Sequence, residues 1–265
     1  MILHRRVALD GVQLDQVDNR IIIQGIEPAA GKDQLTTISL AGGAGSRVTS
    51  EHRDSLDIAV RFTINEKSYR PQARAEVFEK VMKWAANGGW LTVNYKPDRR
   101  IRVIAAQLPA EGDLHKRSEF VITFRAYGVP YWQQAEASSL RLNGVSSVSR
   151  SFGVDGSRQT VMDITFKNTS GSTCNTLTIT CGGSSLSFSD LGLAHNETLV
   201  IDHNDTGRQC LQRIRILNAA GTGYRSAMSK RSGSDDLFVN PGVNNVALSA
   251  QRSGTLLISC AGRFA

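Results

Sequence analysis

A chain of 265 residues with 40% hydrophobic side chains can hold two domains of ordinary size or one large β domain, and 24 glycines beside 6 prolines indicate many turns. The net charge of +7 is spread evenly, +4 through Trp132 and +3 after it, so no basic stripe marks a nucleic-acid binder. No run approaches the roughly 20 apolar residues of a membrane span, and MILHRRVALDG at the start lacks the apolar core of a signal peptide, so the expected place of synthesis is a cytosol.

In chain order, Arg20–Ile26 reads as a short apolar strand and residues 41–46 (AGGAGS) as a flexible loop. From Arg53 to Ile64, Leu56, Ile58, Val60, Phe62 and Ile64 alternate with mostly polar neighbours, which predicts a strand with one buried face. A helix is predicted over about 71–86. Pro71 suits a first helical position, Val77, Phe78, Val81, Met82 and Ala85 recur at helical spacing, and Asn87-Gly88-Gly89 supplies the stop. Glu76 and Lys80, four apart, are expected to pair on its exposed side.

A hairpin follows over about 90–104, with the turn placed at Lys96-Pro97-Asp98-Arg99-Arg100. Gln107–Ser118 is polar and loop-like. At Glu119–Trp132 (EFVITFRAYGVPYW), Phe120, Ile122 and Phe124 alternate with Val121, Thr123 and Arg125, and the strand closes in Pro130-Tyr131-Trp132. The one clear helix and two of the three tryptophans precede this segment, the third closes it, and none follows. Strands, helix, hairpin and strand in that order form an α+β layout.

The second half reads as short strands: Val161–Asn168, Thr176–Cys181, Glu197–Asp202, Gln212–Ile216, a pair around Asn240–Asn244, and a closing strand at Thr255–Ser259. Without a helix signal, this spacing fits a β-sandwich. Cys174, Cys181, Cys210 and Cys260 form no CxxC pair and no zinc spacing, so they read as small buried hydrophobes. The sequons at Asn168, Asn196 and Asn204 read as polar turns.

The ordered set up to Trp132 resembles the N-terminal domain of the siphophage distal tail protein family. It comprises the strand at Arg53–Ile64, the Arg-Pro-headed helix at Arg70–Ala86, the Leu-Thr-Val-Asn-Tyr hairpin and the Pro-Tyr-Trp ending at Pro130–Trp132. Leu237–Val246, with Asn240-Pro241-Gly242-Val243-Asn244 inside it, resembles the turn near the end of that family's galectin-like C-terminal domain. The resemblance implies a mainly β chain with one principal helix: a ring-forming α+β domain over 1–132 and a galectin-like sandwich over 133–265. It also implies a homo-hexameric ring at the distal end of a long non-contractile tail, in the virion, assembled in the host cytoplasm. The implied partners are the tail tube protein, the tail tip or hub protein, a receptor-binding protein carried by the sandwich, and DNA passing through the channel without specific binding.

Within that reading, Trp90, Tyr95, Arg99, Arg100 and Arg102 are the candidate inter-subunit contacts, with an ordinary intradomain hairpin as the alternative. Pro130, Tyr131 and Trp132 are the candidate domain hinge, and Trp132→Ala is expected to loosen the placement of the domains more than it unfolds either. The runner-up function is carbohydrate binding by the sandwich, which has no tryptophan to lie beneath a pyranose ring.

No enzyme is expected, and no catalytic residue, cofactor or metal. Gly42-Gly43-Ala44-Gly45-Ser46 lacks the lysine of a phosphate loop, GxSxG is absent, and the histidines at 4, 52, 115, 195 and 203 are scattered. Asp202-His203-Asn204-Asp205-Thr206-Gly207 fails as a calcium loop, because the twelfth position is Arg213 in place of a bidentate glutamate.

Overall fold

The computed structural model describes residues 5–28, 33–39, 46–53, 55–65, 71–110, 119–126, 128–205 and 210–264. The described residues form two compact units, one ending at Trp132 and the other beginning at Gln133. Of the loops expected at 41–46 and 107–118, residues 41–45 and 111–118 lie outside the described residues, and Ser46 and Gln107 belong to strands.

The first unit runs β1 (Val7–Leu9), β2 (Val12–Gln13), a one-turn helix α1 (Leu14–Val17), β3 (Ile21–Pro28), β4 (Asp33–Ser39), β5 (Ser46–Arg53), β6 (Leu56–Ile64), α2 (Pro71–Ala86), β7 (Gly89–Val93), β8 (Lys96–Gln107) and β9 (Glu119–Ala126). Seven strands make an antiparallel sheet in the order β2-β1-β7-β8-β9-β6-β3, and β4 and β5 form a separate hairpin. Alternation decides the faces. Every second residue of β6, from Leu56 to Ile64, is buried, as are Phe120, Ile122, Phe124 and Ala126 of β9.

Helix α2 covers this inner face with Val77, Phe78, Val81 and Ala85. Phe78 meets Phe120 edge-on at 5.6 Å between centroids, and Trp84 meets Phe124 at 5.9 Å, the geometry favoured by ring quadrupoles. The helix stops where Gly88 adopts φ +63, with its N–H on Ala85 O; a side chain there would run into Val103 O. Lys80 does not pair with Glu76 as expected. Its Nζ lies 3.0 Å from Asp18 Oδ2, and Asp18 also takes Arg20 Nε at 2.8 Å. Arg20 first and then Lys80 hold the Asp18 carboxyl far below its ordinary range, against the opposing effect of burial.

The hairpin turn also differs from expectation. It lies at Asn94–Tyr95, and Lys96–Gln107 is one strand. The register jumps from Thr92↔Arg100 to Val93↔Lys96, so Pro97, Asp98 and Arg99 bulge out of the ladder. A bulge tolerates proline, which has no N–H to donate. Asn94 fixes the turn by exchanging hydrogen bonds with the Arg6 backbone.

The short strand β10 (Trp132–Gln134) leads into the second unit. There follow β11 (Ser138–Val154), β12 (Thr160–Val161), β13 (Asp163–Asn168), β14 (Leu177–Cys181), β15 (Ser184–Phe188), β16 (Thr198–Asp205), β17 (Cys210–Leu217), β18 (Tyr224–Ser226), β19 (Arg231–Gly233), β20 (Phe238–Val239), β21 (Gly242–Cys260) and β22 (Arg263–Phe264). The main order is β18-β17-β16-β13-β21-β14-β15-β19, with β11 also on β21. Strand β21 belongs to both layers of the sandwich: residues 246–250 pair with β14, and residues 254–259 pair with β13. Strand β11 follows it around the bend, with register shifts between Leu142 and Ser147.

The inward residues of both layers form one core that includes Phe152, Ile164, Phe166, Leu177, Ile179, Leu199, Ile214 and Ile258. Cys174, Cys181 and Cys260 are buried and free, and burial pushes the Cys260 thiol up to about 12. Asn168 is buried with its amide satisfied: Nδ2 donates to Ser172 O and Leu193 O, and Oδ1 accepts from Ser170. Asn244 closes the Asn-Pro-Gly turn in the same way, donating to Asn240 O and accepting from Asn240 N–H.

Candidate functional site

The outer face of the first sheet carries the side chains that alternation turns away from α2. Towards β3 these charges are paired. Arg125 grips Asp57 with both nitrogens at 2.5 and 2.6 Å, and Arg61 lies between Glu27 at 3.0 Å and Glu119 at 3.4 Å.

Towards β7 and β8 the pattern changes. The register sets Trp90 opposite Arg102 and Thr92 opposite Arg100. Both guanidiniums face the Trp90 indole, at 4.3 Å for Arg100 and 5.6 Å for Arg102. Neither meets a carboxylate among the described residues. Contacts of this kind contribute about 0.5–1 kcal/mol each when exposed, less than the cost of burying an unpaired charge. The patch is an aromatic centre flanked by two cations that have no counter-ion among the described residues.

Arg99 sits in the bulge and reaches Asp98 at 3.5 Å. Tyr95, on the turn, is 48% exposed, and burial of its inner part raises its pKa. The structure thus brings Trp90, Arg100 and Arg102 together and leaves Tyr95 and Arg99 at the hairpin end. At the unit boundary Pro130 and Trp132 are buried and Tyr131 is half-buried. Lys96 Nζ stands 4.8 Å above the Trp132 ring.

Two features of the sandwich were not read from the sequence. The first is an open depression of about 580 Å³ on its outer face, lined by Ser147, Ser149, Thr178, Thr180, Ala247 and Ser249 among others. The register places Ser147, Ser249, Thr178 and Ser187 in one row across four strands, with Thr178 and Ser187 hydroxyls 3.0 Å apart. Serines at every second position from Ser147 to Ser151 were the available signal. The lining offers hydroxyls and no aromatic ring.

The second is His203, which lies between two carboxylates, Nδ1 at 2.9 Å from Asp163 and Nε2 at 3.1 Å from Asp236. Burial alone would lower its pKa, but Asp163 and Asp236 more than offset this and raise it. A raised folded value means the clamp contributes its full stability below the ordinary imidazole range and loses it as pH rises through the folded pKa. Melting of the second unit is therefore expected to drop as pH climbs above about 6.5, and His203→Gln should remove that slope; calorimetry at several pH values checks it. The calcium-loop fragment has the opposite chemistry, because Asp202 is engaged by Arg213 at 3.0 Å and Arg215 at 2.6 Å.

No family model and no curated protein matches the chain by sequence. Solved structures do match it. The crystal structure of the Dit (gp 19.1) protein of phage SPP1, described as a paradigm of the hub adsorption apparatus in phages that infect Gram-positive bacteria, superposes with a TM-score of 0.67 at 14% identity, covering 96% of this chain and 98% of that one. The chain has the SPP1 Dit fold. Two structures of the phage P2 baseplate in its activated conformation agree. The form with Ca gives a TM-score of 0.54 at 8% identity over 97% of this chain and 98% of that one, and the form with Sr gives 0.50 at 9% over 97% of both. At identity this low the likeness is one of fold.

Proposed function

We propose that this chain is a structural distal tail protein of a long non-contractile phage tail, located in the virion and assembled in the host cytoplasm. A homo-hexameric ring of first units joins the tail tube protein to the tip or hub protein, and the sandwiches hold host-adhesion proteins. The observation that supports this best is the extent of the structural likeness. It runs over 96% of this chain and 98% of the SPP1 chain, so both units are matched in the same order. A shared sandwich alone would cover about half.

A closed ring needs head-to-tail contacts between two different surfaces of each copy. The Trp90–Arg100–Arg102 patch supplies one of them, with Tyr95 and Arg99 at the tip of the same hairpin. An aromatic centre with arginines is the composition that concentrates binding energy at interfaces. DNA crosses the channel without specific contacts, and the role needs no enzyme activity and no cofactor. Among the described residues no helix is long and apolar enough to cross a membrane.

Native mass spectrometry and negative-stain imaging of the purified protein test the ring. A hexameric ring is the expected result, and a protein that stays monomeric at every concentration and salt overturns it. Arg100→Glu with Arg102→Glu should convert rings to monomers that melt as the parent does. Rings that survive both substitutions place the contact elsewhere.

The carbohydrate reading has the hydroxyl-lined depression as its surface, and a glycan array probed with the full chain tests it.

A further inference from the structure

Strand β11 is the edge of both layers of the sandwich. Among the described residues its 17 residues pair along one side only, with β21. Its inward row includes Leu140, Leu142, Val145 and Val148, and all four pack on the core while remaining partly exposed. On the neighbouring strands the core is closed: Ile164, Phe166, Leu177 and Ile179 are at most 1% exposed. Among the described residues the core is thus incompletely covered along a rim whose strand has no partner strand on its other side, which is the arrangement that accepts an added strand.

Charge decides what kind of strand fits. The only charged residues on β11 are Arg141 and Arg150, and both are exposed. Arg141 Nε reaches only Asn143 Oδ1 at 3.4 Å, and Arg150 Nη1 donates to Ser149 O at 3.1 Å. Neither meets a carboxylate among the described residues. Arg150 is paired in register with Val246, a core residue, so it occupies the inward row between Val148 and Phe152. A charge in that row rejects an all-apolar strand, as edge charges do in natural sheets. A second copy of β11 would bring two more arginines and no acid.

We infer that the β11 edge binds an extended segment of another protein by strand addition, with apolar side chains over Leu140–Val148 and a carboxylate opposite Arg150. The inference concerns the sandwich alone and stands whether or not the first units form a ring. The energetic logic is the same as for any charge-assisted hydrogen bond at a rim: the backbone ladder supplies affinity, and the Arg150–carboxylate pair supplies selection.

The test uses the full chain and two synthetic 12-residue peptides of alternating valine and threonine. One carries a glutamate in the valine row and the other a lysine in its place. The glutamate peptide should bind about tenfold more tightly than the lysine peptide, and hydrogen exchange should slow within residues 138–154. Arg150→Glu, a change at an exposed residue without a carboxylate partner, should reverse the preference, and Arg150→Gln should abolish it. Equal binding of both peptides, no binding at millimolar concentration, protection confined to other strands, or a dimer formed through β11 would each overturn the inference.

Discussion

Gly254→Ala is expected to destabilise the second unit by about 3 kcal/mol or more, at the upper end of overpacking costs. A Cβ at this position would lie 2.4 Å from Lys167 O and 2.5 and 2.7 Å from the Phe166 ring atoms Cζ and Cε2. None of these atoms can give way cheaply. Lys167 is held on both sides, opposite Thr255 of β21 and Thr198 of β16. Phe166 is completely buried in the sandwich core.

The position matters because residue 254 is where β21 resumes pairing after Gln251–Ser253, the stretch across which it changes partner from β14 to β13. Gln251 N–H bonds to Thr176 O, and Thr169 N–H to Ser253 O, on either side of the change. Moving β13 away from Gly254 would separate the two layers at their shared strand. Thermal or denaturant unfolding followed with probes in each unit checks the expectation. A variant that melts within 1–2 °C of the parent, where a change of ~1 kcal/mol already moves a domain by several degrees, shows that β13 adjusts at little cost.

The same strand marks where reading the sequence stops working. Helix α2 and strands β6 and β9 are legible because each buries one face, and a buried face writes its own period into the sequence. Val77, Phe78, Val81 and Ala85 recur at helical spacing, and Leu56–Ile64 alternates throughout. Strand β21 instead reads as two pieces, a pair around Asn240–Asn244 and a strand at Thr255–Ser259, because Gln251, Arg252 and Ser253 interrupt its alternation. The structure joins them in a 19-residue strand, held by β14 over one half and β13 over the other. Strand β11 has weak apolar alternation and a register shift near Asn143-Gly144, and its inward row is only half covered, so it carries little periodic signal.

At the candidate site, the sequence identified the residue types but not their grouping. Trp90, Arg100 and Arg102 come together through the bulge at Pro97–Arg99, which sets their register. A Pro-Asp pair reads as a turn from local chemistry, yet here the turn forms two residues earlier because Asn94 bonds to the Arg6 backbone, 88 residues away in the chain. Lys80 illustrates the same limit. Its helical neighbour Glu76 is local, but Asp18 is buried and gains more from an ammonium group than an exposed glutamate does. His203 reads in the sequence as a scattered histidine inside a failed calcium loop, because its partners, Asp163 and Asp236, lie 40 and 33 residues away.

Trp132→Ala is expected to cost about 3–5 kcal/mol in the first unit, the range for removing a buried tryptophan. The sequence suggested a hinge residue whose loss would loosen the placement of the domains more than it unfolds either. Burial of the indole adds a cost in stability to that expectation. The indole is 2% exposed and ranks among the largest fully buried side chains of the chain. Its ring carries Lys96 Nζ at 4.8 Å, and burial, with Arg99 adding to it, already lowers the Lys96 pKa. Removing the ring leaves both a cavity and a partly buried ammonium group without its π face. Two calorimetric transitions are therefore expected, with the first-unit transition falling by about 10–20 °C and the second unchanged, while Trp132→Phe recovers part of the loss. Transitions that both stay in place, with only the solution dimensions of the chain altered by small-angle scattering, would return Trp132 to the role of a hinge and remove it from the stability of the first unit.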